Sequence, residues 1–342
     1  MNYKVLIPSG AGSPGFGGIF HCLSQQPDVS VYCGDMNPRA YGKNLAQGFA
    51  LMPPSQSESY IQEVINTAQR FDCNTILPIT TAELPVLAQH QDRLQQEGLH
   101  IAISTPEAIH TANNKALVYA LASELNLPCV SYEVVNNKTS ALAAIQQVLN
   151  TGYAVMKPTE GNGSRGLRIF MNAAQLQEDY FNNKAGSVFS TLGAAQVEMP
   201  DVFQQDMIVS SYLPGTEYSA DVLCNQGECL SMAIRSRDKT VSGISVRGTF
   251  LRHEHMEYQI ATFCKSLKLH GPIGFQFKEN HDGTATILEI NPRLQGAVST
   301  ALLAGINFPF LAIQLAHKIE PSSVLYSKNN VSFNRYWTDI QE

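Results

Sequence analysis

"VMKPTEGNGSRG", residues 155–166, is the stretch whose reading decides the fold. An apolar run ends on Lys157, Pro158 follows, and a glycine-rich loop containing Arg165 comes next. A Walker-type phosphate loop is G-x-x-x-x-G-K-[ST], with its lysine directly after the glycines. Here the lysine precedes the glycines and an arginine stands among them. The flanks, "GYAVMKP" and "LRIFM", both read as strands. A lysine between an apolar run and a proline is not an ordinary solvated lysine. Placed at a strand end, it can reach phosphates while the glycine backbone covers them.

Towards the N-terminus, "KVLIPSG", "VSVYCGD", "TILPIT" at 75–80 and "IAIS" at 101–104 read as strands. Helix-like stretches such as "SYIQEVINTAQRF" and "PVLAQHQDRLQQEG" separate them. That alternation predicts a parallel sheet and a first, Rossmann-like βα domain over 1–110. Residues 10–15, "GAGSPG", follow the first strand, and Asp35 ends the next. This matches the dinucleotide-binding fingerprint, so a nicotinamide-dependent oxidoreductase is one reading. The other is a tight strand–helix turn that needs glycines whatever it binds; Pro14, Gly17 and Gly18 make the loop irregular.

Beyond residue 110, "TANNKALVYALASELNLP" has helical apolar spacing and ends before Pro128. Residues 182–200 show little periodicity and many small side chains, as a lid element does. Then "MIVSSYLPGTEYSADVLC", "CLSMAIRSR", "GFQFKEN" and "TATILEINPR" read as closely connected, largely antiparallel strands. In "GPIGFQFKENHDGTATILEINPR", 271–293, a two-residue Asp282-Gly283 turn sets Gln276 opposite Glu289. Glu289 and Asn291 then share a face with Gln276. A carboxylate and two amide oxygens are ligands for a hard cation such as Mg²⁺. A polar strand end is the competing reading. Lys115, Lys157, Arg165 and Arg293 add cations from separate elements, as a triphosphate with metal requires.

The bulk composition narrows the classes. With 44% hydrophobic and 15% charged residues the chain is an ordinary globular protein. A formal charge of −6 argues against a nucleic-acid or membrane-surface binder. Seven cysteines are scattered without a CxxC pair, and the nearest two, Cys224 and Cys229, read as reduced core. The opening residues run straight into a strand, so no signal peptide is expected, and no apolar run reaches membrane-spanning length. A cytoplasmic location is expected.

With these elements in this order, the sequence resembles the ATP-grasp enzymes, in particular the branch similar to the carbamoyl-phosphate-synthetase large subunit. The residues that carry the resemblance are "NNKALVYALASELNLP", "VMKPTEGNGSRG", "SSYLPGTEYSADVL" and "GFQF…ILEINPR", behind a matching pre-ATP-grasp domain. It covers nearly the whole chain. It implies a Rossmann-like domain followed by a module of two α+β subdomains, at 111–210 and 211–342. It also implies that Lys115 and Lys157 contact ATP phosphates and that the loop Gly161, Gly163, Ser164, Arg165 and Gly166 closes over them. Ser211, Tyr212 and Leu213 become the adenine hinge, and Glu217 the ribose ligand. Gln276, Glu289 and Asn291 hold Mg²⁺, with Mn²⁺ the alternative ion, and Arg293 steadies the transferred phosphate.

The implied activity is ADP-forming ligation. A small-molecule carboxylate is activated as an acyl phosphate and attacked by an amine, with no nucleic-acid or membrane partner and a homodimer as the family-level assembly. Arg235, Arg237 and above all Arg247 are candidates to bind the substrate carboxylate, against a solvated basic face. "HEH" at 253–255 reads first as a polar surface segment, with a transition-metal pair on one strand face as the alternative. Three departures stand out: Ser211 where relatives have Glu, Asn114 where Asp is common, and "NPRLQG", which lacks a second basic residue. The last, with a single module and no glutaminase segment, argues against carbamoyl phosphate synthesis. Ser211 and Asn114 motivate a third reading, a catalytically silent ATP-binding regulator.

Overall fold

The computed structural model describes residues 2–161, 165–178 and 188–341. The chain forms two compact units. The first comprises Met1–Asn113, Thr216–Phe277 and Glu289–Glu342, and the second Asn114–Gly215 and Lys278–Leu288.

The first unit begins with a parallel four-stranded sheet ordered Gly48–Leu51, Val29–Asp35, Tyr3–Ile7, Thr75–Ile76. Val5, Leu6 and Ile7 are fully buried, which is why this strand reads as an unbroken apolar run. Helices Phe16–Ser24 and Tyr60–Arg70 return the chain between strands. Residues 101–104, expected as a strand, are not one. Pairing there is limited to a bridge between Thr75 and His100. Ile101, Ala102 and Ile103 are apolar because they fill the core, not because they extend the ladder.

A larger sheet, most of whose residues belong to this unit, is ordered Lys239–Val241, Ile244–Leu251, Glu228–Ser236, Glu217–Asn225, Gly271–Glu279, Ala285–Asn291. Leu325–Tyr326 adds to Glu228–Ser236 and Ser332–Asn334 to Ile244–Leu251. Glu217–Asn225 with Glu228–Ser236, and Lys239–Val241 with Ile244–Leu251, are hairpins joined by short turns, and Glu228–Ser236 also pairs antiparallel with Ile244–Leu251, as expected of this half.

The second unit holds a five-stranded sheet ordered Tyr132–Asn137, Val202–Ser211, Ala154–Pro158, Arg168–Phe170, Phe189–Ser190. The strands on either side of the glycine loop pair with each other, Ala154 opposite Phe170 and Met156 opposite Arg168. Helix Lys138–Leu149 covers one face through Ala141, Ala144 and Ile145. Within 182–200, where the sequence lacks periodicity, the described part forms strand Phe189–Ser190 and helix Leu192–Glu198, capped by Thr191.

The helical stretch at 111–127 is two helices, Pro106–Asn113 and Lys115–Glu124, broken at Asn114. Asn114 is extended, and its side chain accepts from the N–H groups of Ala116 and Leu117. That is an N-cap, a task asparagine and aspartate perform about equally well.

Candidate active site

In the second unit, Lys157 lies on strand Ala154–Pro158 and donates from Nζ to the Tyr119 hydroxyl at 2.8 Å. Tyr119 in turn donates to the Leu288 carbonyl at 3.1 Å. The lysine therefore has a fixed stem and a placed ammonium. Lys115, first residue of its helix, is buried and donates to the Gly161 carbonyl at 3.0 Å. Its own N–H donates to the Thr159 carbonyl, so the helix start is tied to the loop that follows Lys157. Gly161 and Gly166 take φ of +123° and +76°, where a side chain is strained. At Gly166 a Cβ would also lie 2.9 Å from the Pro158 ring. Arg165 is exposed. Gly163 and Ser164 lie outside the described residues.

Ser211 ends strand Val202–Ser211, and Tyr212 and buried Leu213 follow. The Tyr212 N–H donates to the Tyr153 carbonyl at 2.9 Å, and Lys278 sits 4.6 Å from the Tyr212 ring centroid. This segment is thus anchored to the neighbouring strand rather than free.

In the first unit, Gln276, Glu289 and Asn291 come together. Glu289 Oε1 accepts from Gln276 Nε2 at 2.7 Å and from Asn291 Nδ2 at 2.9 Å. The turn between the two strands is not the expected two-residue one. Asn280 N–H donates to the Thr284 carbonyl and Gly283 N–H to that of Asn280, leaving 281–283 as a three-residue loop with Gly283 at φ +84°. The three side chains meet all the same. A hard cation fits this set, because each amide bears an oxygen beside the nitrogen that now faces Glu289, and a turn about the last side-chain bond exchanges them.

Arg293 is bound into the same group. Its Nη2 donates to Asn291 Oδ1 at 3.2 Å, its Nε to Thr81 Oγ1 at 2.8 Å and its Nη1 to the Leu294 carbonyl. Burial pulls this guanidinium below its usual value, opposed by Glu289 and Glu83. Glu83 was not singled out in the sequence. It is fully buried, and burial raises its carboxyl, opposed by hydrogen bonds from Thr80, Tyr60 and the Ile79 N–H. The signal was present in "TTAEL", where a carboxylate three residues after a threonine closes a turn on itself.

Glu217 opens strand Glu217–Asn225, and its Oε1 lies 2.7 Å from Arg237 Nε. Arg237 also donates to Ser219 and to the Gly243 carbonyl. Burial lowers its guanidinium, and Glu217 opposes that. Arg235, a sequence candidate for the substrate, is fully buried and ion-paired with Asp221, which Gln295 also contacts at 3.1 Å. It is core structure, neither a solvated face nor an open anion site. Arg247 is exposed, 3.9 Å from Asp238. "HEH" is not extended either. His253 caps helix Glu254–Leu267 by accepting from the Met256 N–H, so 253 and 255 do not share a strand face.

The glycine fingerprint has an internal partner. Asp35 Oδ2 accepts from the Gly12 N–H at 2.8 Å, so the acidic residue holds the loop itself. Gly12, Pro14, Tyr41, Ile244, Arg335 and Trp337 line a mostly apolar cavity of about 840 Å³ in the first unit. Arg335 brings the positive charge. Its N–H donates to the Val246 carbonyl, its Nη1 to that of Gly296 at 3.1 Å, and burial lowers its guanidinium. An arginine directly after a three-residue strand carries no motif, which is why the sequence did not reveal it.

Residues 203–336 match the family described as "ATP-grasp in the biosynthetic pathway with Ter operon". Residues 19–102 match "PylC-like, N-terminal domain". Among solved structures, the chain is similar to the biotin carboxylase domain of Hydrogenobacter thermophilus 2-oxoglutarate carboxylase, a dimer in complex with MgADP, ADP and bicarbonate. That match has TM-score 0.68 and 16% identity and covers 98% of this chain and 73% of that one. It is also similar to N5-carboxyaminoimidazole synthetase from Staphylococcus aureus complexed with ADP, at TM-score 0.68 and 13% identity over 95% and 80% of the two chains. L-amino acid ligase from Bacillus licheniformis matches at TM-score 0.64 and 16% identity over 93% and 74%. At these identities the three share the fold with this chain. Among the described residues no helix is long and apolar enough to cross a membrane.

Proposed function

We propose that this chain, which belongs to the ATP-grasp family and carries a PylC-like N-terminal domain, is an ADP-forming ligase that joins a small-molecule carboxylate to an amine. The observation that carries the reading is the group formed by Gln276, Glu289 and Asn291, with Arg293 bonded to it. A carboxylate is a poor acyl donor because its leaving group is oxide. In the proposed reaction its oxygen attacks the γ-phosphorus of ATP, the bond to the bridging oxygen breaks, and ADP leaves. The amine nitrogen then attacks the acyl carbon, phosphate departs, and the nitrogen loses a proton. Mg²⁺, when bound, neutralises charge developing on the transferring oxygens.

The roles we assign follow from each setting. Lys115 and Lys157 are placed cations for the phosphates, with Gly161, Arg165 and Gly166 as the covering backbone. Tyr212 and Leu213 take adenine, and Glu217, held by Arg237, takes ribose. Gln276, Glu289 and Asn291 hold the metal, and Arg293 meets the transferred phosphoryl group. Arg335 in its apolar cavity is the candidate for the substrate carboxylate, with Arg247 the exposed alternative. A homodimer in a reducing cytoplasm is the setting we propose, supported by the dimeric domain of like fold and by the free cysteines.

The test is ADP release across a matrix of carboxylates and amines. The expected result is release that requires Mg²⁺ and both organic substrates. ATP binding without turnover on any pair favours a silent regulator, and NAD binding without ATP binding favours an oxidoreductase.

A further inference from the structure

Cys224 and Cys229, which read as ordinary core in the sequence, are joined by Cys264, and the three sulfurs all lie within 4.8 Å of one another. Cys224 donates to Cys264 Sγ at 3.2 Å. The fold builds this group from three elements. Strands Glu217–Asn225 and Glu228–Ser236 form a hairpin in which Cys224 stands opposite Cys229, with a register shift between Leu223 and Cys224. Gln226 and Gly227 make its turn at φ +47° and +96°. Helix Glu254–Leu267 supplies Cys264. It comes this close because residue 227 lacks a side chain: a Cβ there would lie 3.1 Å from the Cys264 carbonyl. The Gly227 N–H bonds to the Leu269 carbonyl, and the Leu269 N–H to that of Cys264, which fixes the hairpin to the helix end.

Isolated core cysteines pack sulfur against carbon. Here sulfur faces sulfur, and among the described residues no imidazole or carboxylate joins the group. A structural zinc site closes with four ligands. Three converging sulfurs, without a fourth His, Cys, Asp or Glu among the described residues, suit a soft ion in threefold coordination. Cys224 and Cys264 are buried and Cys229 is half-buried, which leaves one side open for entry. Burial raises the Cys224 and Cys264 thiols, whereas hydrogen bonds from these two pull the Cys229 thiol down. A bound cation would displace the thiol protons to solvent.

We propose that Cys224, Cys229 and Cys264 form a three-sulfur site for one soft cation, matched best by copper(I). The test is anaerobic titration of the reduced full chain with Cu(I) held by a competing chromophoric chelator. One Cu(I) per chain is expected. Cys229→Ser should lower the affinity by more than the roughly tenfold to hundredfold that loss of an outer-shell partner costs. Cys73→Ser, outside the group, should leave it unchanged. X-ray absorption on the loaded native chain needs no variant and should show a shell of three sulfurs. Equal Cu(I) uptake by the native chain and Cys229→Ser, or a shell containing nitrogen or oxygen, would overturn the assignment.

Discussion

Several residues turn out to be defined by their nearest partner. Asn114 looked like a departure from aspartate, yet its side-chain oxygen caps the helix that starts at Lys115. Asp35 completes the dinucleotide-binding fingerprint in the sequence, and in the structure it holds the Gly12 N–H. The two cations of the quoted stretch differ in the same way. Lys157 has a strand stem and a fixed partner in Tyr119, so in the reaction we propose it would act without first being ordered. Arg165 is exposed among glycines, so if it binds phosphate as proposed, part of its binding energy would go into ordering it. Lys157→Ala should therefore lower turnover by roughly two orders of magnitude. Arg165→Ala should instead raise the apparent KM for ATP. Steady-state ADP release against ATP concentration separates the two, and near-normal turnover in Lys157→Ala would remove the phosphate role. Glu289→Gln keeps the shape and removes the charge from the proposed metal site. Turnover should fall steeply while the melting temperature stays near the native value, since Glu289 is only half-buried. Full activity in that variant would refute the metal assignment.

At the scale of elements, two hairpins show what a turn decides. The 281–283 loop is one residue longer than "HDGT" suggests, and side-chain capping by Asn280 and Asp282 stabilises it. The Gln226-Gly227 turn is short, and a hydrogen bond from the Gly227 N–H to the Leu269 carbonyl ties it to the end of the helix. Gly227→Ala places a Cβ in the left-handed region and against the Cys264 carbonyl. We expect destabilisation of about 1–2 kcal/mol from the backbone alone, read as a lower urea midpoint; no change would mean the turn relaxes freely. A second joint lies where His317, after helix Phe308–Ala316, meets strand Thr75–Ile76. Its Nε2 is 2.7 Å from Thr75 Oγ1 and its ring 4.1 Å from that of His100. Burial, with His100 adding repulsion, pulls His317 down to about 4. The unfolded chain protonates it at about 6.5. Between those values unfolding takes up a proton, so stability is fully present above about 6.5 and declines as the pH falls towards 4. The melting temperature should drop over that window, and His317→Gln should flatten the drop. An identical pH profile for the variant would count against it.

For the whole molecule, a ligand that binds only the folded state raises stability by mass action, by about 2.7 kcal/mol at a hundredfold excess over its Kd. A non-hydrolysable ATP analogue with Mg²⁺ should raise the melting temperature, and NAD should not. The reverse result would return the glycine fingerprint to a nicotinamide role. Much of the architecture was legible because it is written in short-range patterns. Alternating strands and helices predicted the parallel sheet, and the strands flanking "TEGNGSRG" pair across the loop as their apolar runs imply. The same holds for Glu289 and Asn291, two residues apart on one strand. Pattern failed where burial came from elsewhere. Residues 101–103 are apolar without being a strand, and Arg235 is charged yet wholly enclosed with Asp221. By itself, then, the sequence determined the order and kind of most elements and which residues stand as candidates for phosphate and a hard cation, because backbone periodicity and turn chemistry act over a few residues. Only the tertiary structure decided that Arg293 meets Thr81, that Arg335 enters an apolar cavity and that Cys264 joins Cys224 and Cys229. Those contacts join segments far apart in the chain, and packing rather than local preference brings them together.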